Sequence, residues 1–188
     1  MGRYHEIHFY ARVILTVKLT TLFVINFGFA QEMFNKFLST EHRFEVLLPS
    51  EPIIQEKMVP SSIGSLKNVS FHVSSEEDKP NIYYAVQLIY YPEGSFIQDS
   101  MDMISEFLTE AVSSIANTTR TGVVYRNILT EGKYPSILYR LADNEKGIGF
   151  KGKMILAGSV FYSLQVMFEK SKSLNKEMDK FLNSFKIW

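Results

Sequence analysis

The sequence predicts an α+β domain: an antiparallel sheet of about six to eight strands with two main helices packed on it, in the order β-β-β-β-α-β-β-β-β-α. Three observations predict it. Segments rich in Val, Ile, Tyr and Phe recur with connections too short for the crossover that parallel neighbours need. Two stretches carry apolar residues at helical spacing, one in mid-chain and one at the end. The chain has 188 residues, of which 46% are hydrophobic, and its 15 Phe and 10 Tyr supply the bulk of a single core.

The elements follow in order. Gln31 to His42 reads as a lead-in, with one helical turn around Met33, Phe34, Phe37 and Leu38. Arg43 to Leu48 alternates in part and stops at Pro49, and Ile53 to Val59 is a second strand, ended by Pro60. Leu66 to Ser74 alternates fully, with Val69, Phe71 and Val73 on one face and Asn68, Ser70 and His72 on the other. Glu76-Glu77-Asp78-Lys79-Pro80-Asn81 is a charged turn. Ile82 to Tyr91 is apolar on both faces and β-branched, which fits a central strand.

A helix follows. Ser95 with Gln98 has capping-box spacing, and Ile97, Met101, Ile104, Leu108, Ala111 or Val112, and Ile115 form one apolar stripe. Asn117-Thr118-Thr119 ends it. Four strands come next, Val123 to Thr130, Ser136 to Ala142, Ile148 to Leu156 and Val160 to Phe168, separated by turn chemistry at Glu131-Gly132, Asp143-Asn144 and Ala157-Gly158. The last helix, Leu174 to Phe185, is expected to bury Leu174, Met178, Phe181, Leu182 and Phe185.

The first thirty residues carry a different signal. Arg3, Arg12 and Lys18 make the front basic, Leu19 to Ala30 is an uncharged run, and Gly28-Phe29-Ala30 precedes polar Gln31-Glu32. A basic front, a short apolar middle and a small-residue end define a secretory signal peptide. Lys18 leaves only twelve uncharged residues, short of the roughly 20 that span a bilayer as a helix. The expectation is cleavage near Ala30 and a periplasmic or secreted domain, with a retained anchor as the alternative. The domain plan is therefore signal 1–30, lead-in 31–42 and one α+β domain over 43–188.

Charge and composition exclude several classes. The 20 basic and 20 acidic side chains of the whole chain become 17 and 19 once residues 1–30 are set aside. A slightly acidic domain lacks the basic face that nucleic acid or anionic lipid requires. With no Cys, there is no thiol nucleophile, zinc–thiolate site or iron–sulfur cluster. Beyond residue 30 only His42 and His72 remain, with no carboxylate at ligand spacing, and no metal or other cofactor is expected. No G-x-S-x-G elbow occurs.

Phe44-Glu45-Val46-Leu47-Leu48-Pro49 with Glu51-Pro52, Tyr134-Pro135 after Glu131-Gly132, and the closing Phe181-Leu182-Asn183-Ser184-Phe185-Lys186-Ile187 together resemble the punctuation of small exported bacterial proteins of the PsbP/Mog1/DcrB-like group. The resemblance spans nearly all of residues 43–188. It implies an antiparallel sheet covered by helices, in a group that includes a photosystem subunit and a Ran-binding factor. It transfers no catalytic residue, and the implied role is a binding or scaffold module.

Several local constellations have both a functional and a plain structural reading. Gly147-Ile148-Gly149-Phe150-Lys151-Gly152 has the letters of a dinucleotide fingerprint but runs into strand-like Lys153 to Leu156, so its glycines read as relief for a turn and a bulge. Lys151, Lys153 and Arg140 could make a small basic patch, and Glu76, Glu77 and Asp78 a solvated acidic turn. Tyr83, Tyr84, Tyr90 and Tyr91 are the candidate ligand-binding residues. They could line a groove for an apolar ligand, Tyr83 and Tyr91 on one face and Tyr84 and Tyr90 on the other. The leading expectation is a non-enzymatic binding module for an unknown protein or small apolar ligand. The alternatives are a small-ligand carrier with a tyrosine-lined pocket and a hydrolase with a dispersed site built on Ser and either His42 or His72.

Overall fold

The computed structural model describes residues 33–188 apart from 77, 98, 99, 131 and 144. The expected signal segment, the Gln98 half of the capping box and the Glu77 member of the acidic turn lie outside these residues. Residues 34–188 form one compact unit, which carries every element that follows.

The element order is β1 (Asn35–Ser39), β2 (Phe44–Leu48), β3 (Ile53–Ser61), β4 (Gly64–Ser74), β5 (Asn81–Tyr90), α1 (Met101–Thr119), β6 (Gly122–Leu129), β7 (Ser136–Asp143), β8 (Ile148–Ala157), β9 (Val160–Glu169), α2 (Lys176–Ser184) and β10 (Lys186–Ile187). A seven-stranded sheet runs β3-β4-β5-β9-β8-β7-β6, and β1-β2-β10 form a second, three-stranded sheet. Every ladder is antiparallel. The α+β class, the antiparallel sheet and the two covering helices match the sequence expectation.

Alternation along the strands gives the large sheet two apolar faces. On one face Phe71, Tyr84, Val86, Leu164, Val166 and Phe168 meet Phe44, Val46 and Leu48 of the small sheet and Met178, Phe181 and Leu182 of α2. On the other, Ile137, Tyr139, Leu141, Phe150, Met154 and Leu156 meet the α1 row Ile104, Leu108, Val112 and Ala116.

The opening and closing motifs of the resemblance meet in space. β10 pairs with β2, Ile187 opposite Phe44, and the Phe44 and Phe185 rings stack at 5.3 Å. Ser184 Oγ accepts from the Leu47 amide (2.8 Å) and donates to the Phe181 carbonyl (2.7 Å), so one hydroxyl ties α2 to β2. The Pro135 carbonyl of the mid-chain turn accepts from the Leu156 amide. The opening and closing motifs thus join β2, α2 and β10.

Five local expectations differ from the structure. The lead-in contains a strand, β1, in place of a helical turn; five-residue pairing with β2 gives its amides the partners a lone turn lacks. β3 runs through Pro60 to Ser61, because it is an edge strand on which a missing N–H costs little. α1 starts at Met101, not at Ser95, whose Oγ instead closes a turn on the Pro92 carbonyl (2.8 Å). Ile97 and Met101 are consequently exposed and Ala116 joins the buried row. α2 starts at Lys176 because the Asn175 side chain accepts from the Met178 amide and caps it there, which leaves Leu174 outside the helix and 95% exposed.

The fifth concerns the glycines of β8, where no bulge interrupts the ladders. Gly147 takes φ +67° in the turn, as its residue type allows. Gly149 and Gly152 lie under rings. A Cβ on Gly149 would stand 2.6 Å from the Phe168 ring, and one on Gly152 would strike the Tyr139 ring and stand 2.6 Å from the Leu164 carbonyl.

Candidate functional site

α1 packs on β6, β7 and β8 and stops short of covering the same face of β5 and β9. Its core row is Ile104, Leu108, Val112 and Ala116; the row one residue earlier, Phe107, Ala111 and Ile115, falls on the helix flank. Between that flank and the sheet lies a surface cleft of about 440 Å³. Ile89 at the end of β5, Tyr91 just beyond it, Met154 of β8 and Phe161 of β9 make its apolar floor, and Gln87, Ser163, Ser114 and Glu110 add polar groups.

One end of the cleft is a cluster of four rings. Tyr91 stands edge-on to Phe96 (5.0 Å) and Phe107 (5.8 Å), Phe96 and Phe107 are 4.9 Å apart, and Phe107 meets Phe161 at 5.4 Å. Edge-to-face rings hold their geometry better than aliphatic chains, so this end is preorganised. Burial raises the Tyr91 phenol above its ordinary value and keeps it neutral.

The floor rests on a polar knot. Tyr139, Gly152 and Gln165 are aligned across β7, β8 and β9, and the phenol crosses above Gly152 to accept from Gln165 Nε2 at 3.1 Å. Ser163, only 6% exposed, hydrogen-bonds the same phenol. Burial pushes the Tyr139 phenol up to about 12 against the opposing effect of these two partners. The hydroxyl of Ser163 is thus engaged by a phenol rather than an imidazole. Among the described residues lining the cleft there is no imidazole, amine or thiol, and the ionisable groups are Glu110 and Tyr91.

The four tyrosines are distributed over both faces. Tyr84 is fully buried beside α2, with its hydroxyl accepting from Asn81 Nδ2 (2.7 Å) and its ring edge-on to Phe181. Tyr90 shares that face about 20 Å along the strand and hydrogen-bonds His42 Nδ1 at 2.7 Å. Tyr83 is half-buried on the opposite face against His72, with ring centroids 5.8 Å apart. Of the four, Tyr91 lines the cleft; the structure does not bring the other three to it. Of the helix flank that supplies the other wall, Ala111 and Ile115 stand in the apolar stripe read from the sequence, and Phe107, one turn before Ala111, stands outside it.

The histidines are apart from the cleft. His42, 8% exposed, bonds Tyr90, meets the Phe71 edge at 5.5 Å and has Glu41 at 3.9 Å. Among the described residues neither His42 nor His72 has a serine hydroxyl as hydrogen-bond partner. The three residues of the possible basic patch differ in their partners: Lys151 pairs with Asp179 (2.6 Å), Arg140 lies over the Phe168 ring (5.2 Å), and Lys153 lines a separate cavity. No group of three or more His, Asp or Glu among the described residues could hold a metal. None of the described helices is long and apolar enough to cross a membrane.

No protein-family model matches the chain, and no curated protein matches it. Among solved structures, it is similar to the solution structure of cyanobacterial PsbP (CyanoP) from Synechocystis sp. PCC 6803, with a TM-score of 0.54 over 86% of this chain and 96% of that one, at 11% identity. The fold is PsbP-like. The crystal structure of the Ran-binding protein Mog1p from Saccharomyces cerevisiae gives a TM-score of 0.47 over 84% of this chain and 96% of that one, at 10% identity. At 11% identity a PsbP-like fold fixes the arrangement of strands and helices and leaves the cleft's side chains to this sequence alone.

Proposed function

We propose that the chain is an exported, non-enzymatic binding module that grips an apolar side chain of a partner protein in the cleft beside α1. The cleft itself carries this reading: a preorganised aromatic end, an apolar floor, and hydrogen-bonding groups at the margin form the arrangement that receives a hot-spot anchor. The described lining residues offer contacts and no nucleophile–base pair, which supports binding over catalysis. The PsbP-like fold agrees with a module of this kind. Export rests on the basic front, the twelve-residue uncharged run and Gly28-Phe29-Ala30; protein recovered from its host should begin near Gln31.

The test is affinity capture from the host with the wild type and with Ala111→Trp, whose indole fills the cleft from the helix flank. The partner should be retained by the wild type and lost by the variant at unchanged melting temperature. Equal capture by both would refute the cleft as the site.

A further inference from the structure

A second cavity, of about 310 Å³, lies on the other face of the large sheet, between the β6–β7 connection, β8 and the chain end. Its lining combines two chemistries. Ile155 and Phe185 are buried and Tyr134 packs against the same core, so the inner wall is apolar. Lys133, Lys153 and Lys186 complete the lining and make it basic.

Among the described residues these charges are unevenly compensated. Lys186 reaches Glu45 at 3.3 Å, but the same carboxylate also takes Lys36 at 2.6 Å. The Lys133 ammonium lies over the Tyr134 ring, 5.0 Å from its centroid. Lys153 is half-buried and has no carboxylate partner among the described residues. The contrast with Lys151 is direct: two residues away on the same strand face, Lys151 is neutralised by Asp179 at 2.6 Å. A cationic rim around an apolar concavity concentrates anions there. Its complement is a compact apolar group bearing one negative head.

We propose that this cavity binds a small organic carboxylate, its apolar body against Ile155, Phe185 and Tyr134, and its carboxylate accepting from Lys153 with Lys133 and Lys186 beside it. The site is separate from the α1 cleft and does not depend on it.

The experiment is calorimetric titration of the protein, produced from the full chain and used as its host delivers it, with sodium phenylacetate, the neutral isostere phenylacetamide, and inorganic phosphate. Phenylacetate should bind saturably, and both the amide and phosphate more weakly by about tenfold, the worth of one charge-assisted hydrogen bond or of the apolar contact. Lys153→Met should lose about tenfold and Lys153→Arg should recover most of it. If Lys153→Met does not fold, Lys133→Gln decides, with a loss of about threefold expected. Amide shifts should move at Tyr134 and Phe185. Binding of phenylacetamide as tight as phenylacetate, unchanged affinity in the lysine variant that folds, the absence of saturable binding, or shifts confined to Tyr91 and Phe107 would each overturn the proposal; the last outcome would place the acid in the α1 cleft instead.

Discussion

Replacing Gly152 by Ala tests how the floor of the α1 cleft is held. The new methyl group would enter space held by the Tyr139 ring and stand 2.6 Å from the Leu164 carbonyl, which is backbone and cannot turn aside. Tyr139 must therefore move, and it is fully buried, with hydrogen bonds to Gln165 and Ser163. Overpacking of this kind costs about 1–3 kcal/mol. Dislodging a buried hydroxyl from its partners adds about 1 kcal/mol or more. The sum, about 2–4 kcal/mol, corresponds to a fall in melting temperature of roughly 5–12 °C for a domain of this size. Differential scanning calorimetry reads it. The double variant with Tyr139→Phe should show strong coupling, because the phenylalanine has already given up the hydroxyl that Gly152→Ala displaces. A fall of less than about 2 °C in Gly152→Ala, or additive effects in the double variant, would refute the account of a ring laid over glycine to brace the cleft.

Two further predictions concern the contacts of the small sheet and the loop after β1. Ser184→Ala removes the hydroxyl that bonds both the Leu47 amide and the Phe181 carbonyl, and chemical denaturation should show a loss of about 1–2 kcal/mol; a loss near zero would mean that water replaces it. Burial, outweighing the attraction of Glu41, lowers the His42 pKa below 6.5, so the unfolded chain binds this proton more readily than the fold. That contribution to stability is complete above pH 6.5 and is lost as pH falls through 6.5 toward the folded-state value. His42→Phe should flatten this part of the melting-temperature profile between pH 7.5 and 5; an unchanged slope would assign it to other groups.

Much of the architecture was legible because it is written in local patterns. The alternation of Val69, Phe71 and Val73 and the short turns at Asp143 and Gly158 fix β4 and the β7-β8-β9 meander without tertiary information. The opening and closing motifs carried the fold resemblance because Phe44, Ser184 and Phe185 form one joint. Other features are decided by partners distant in sequence. β1 is a strand because β2 pairs with it, while Phe34, Phe37 and Leu38 alone have helical spacing. Gly149 and Gly152 are needed by Phe168 and Tyr139, residues on neighbouring strands. The cleft depends on where α1 crosses the sheet, and no residue pattern states that. Tyrosines stand at both ends of β5, yet a strand sends consecutive rings to opposite faces, and of Tyr83, Tyr84, Tyr90 and Tyr91 it is Tyr91 that lines the α1 cleft.

Site-specific photo-crosslinking in the host, with the photoreactive residue at Ser114 on the cleft wall or at exposed Met58 on edge strand β3 as control, shows whether a partner is held beside α1. The account predicts a discrete adduct from Ser114, none from Met58, and loss of the Ser114 adduct when Ala111→Trp fills the cleft. An adduct from Met58 alone, or a Ser114 adduct that survives Ala111→Trp, would contradict it.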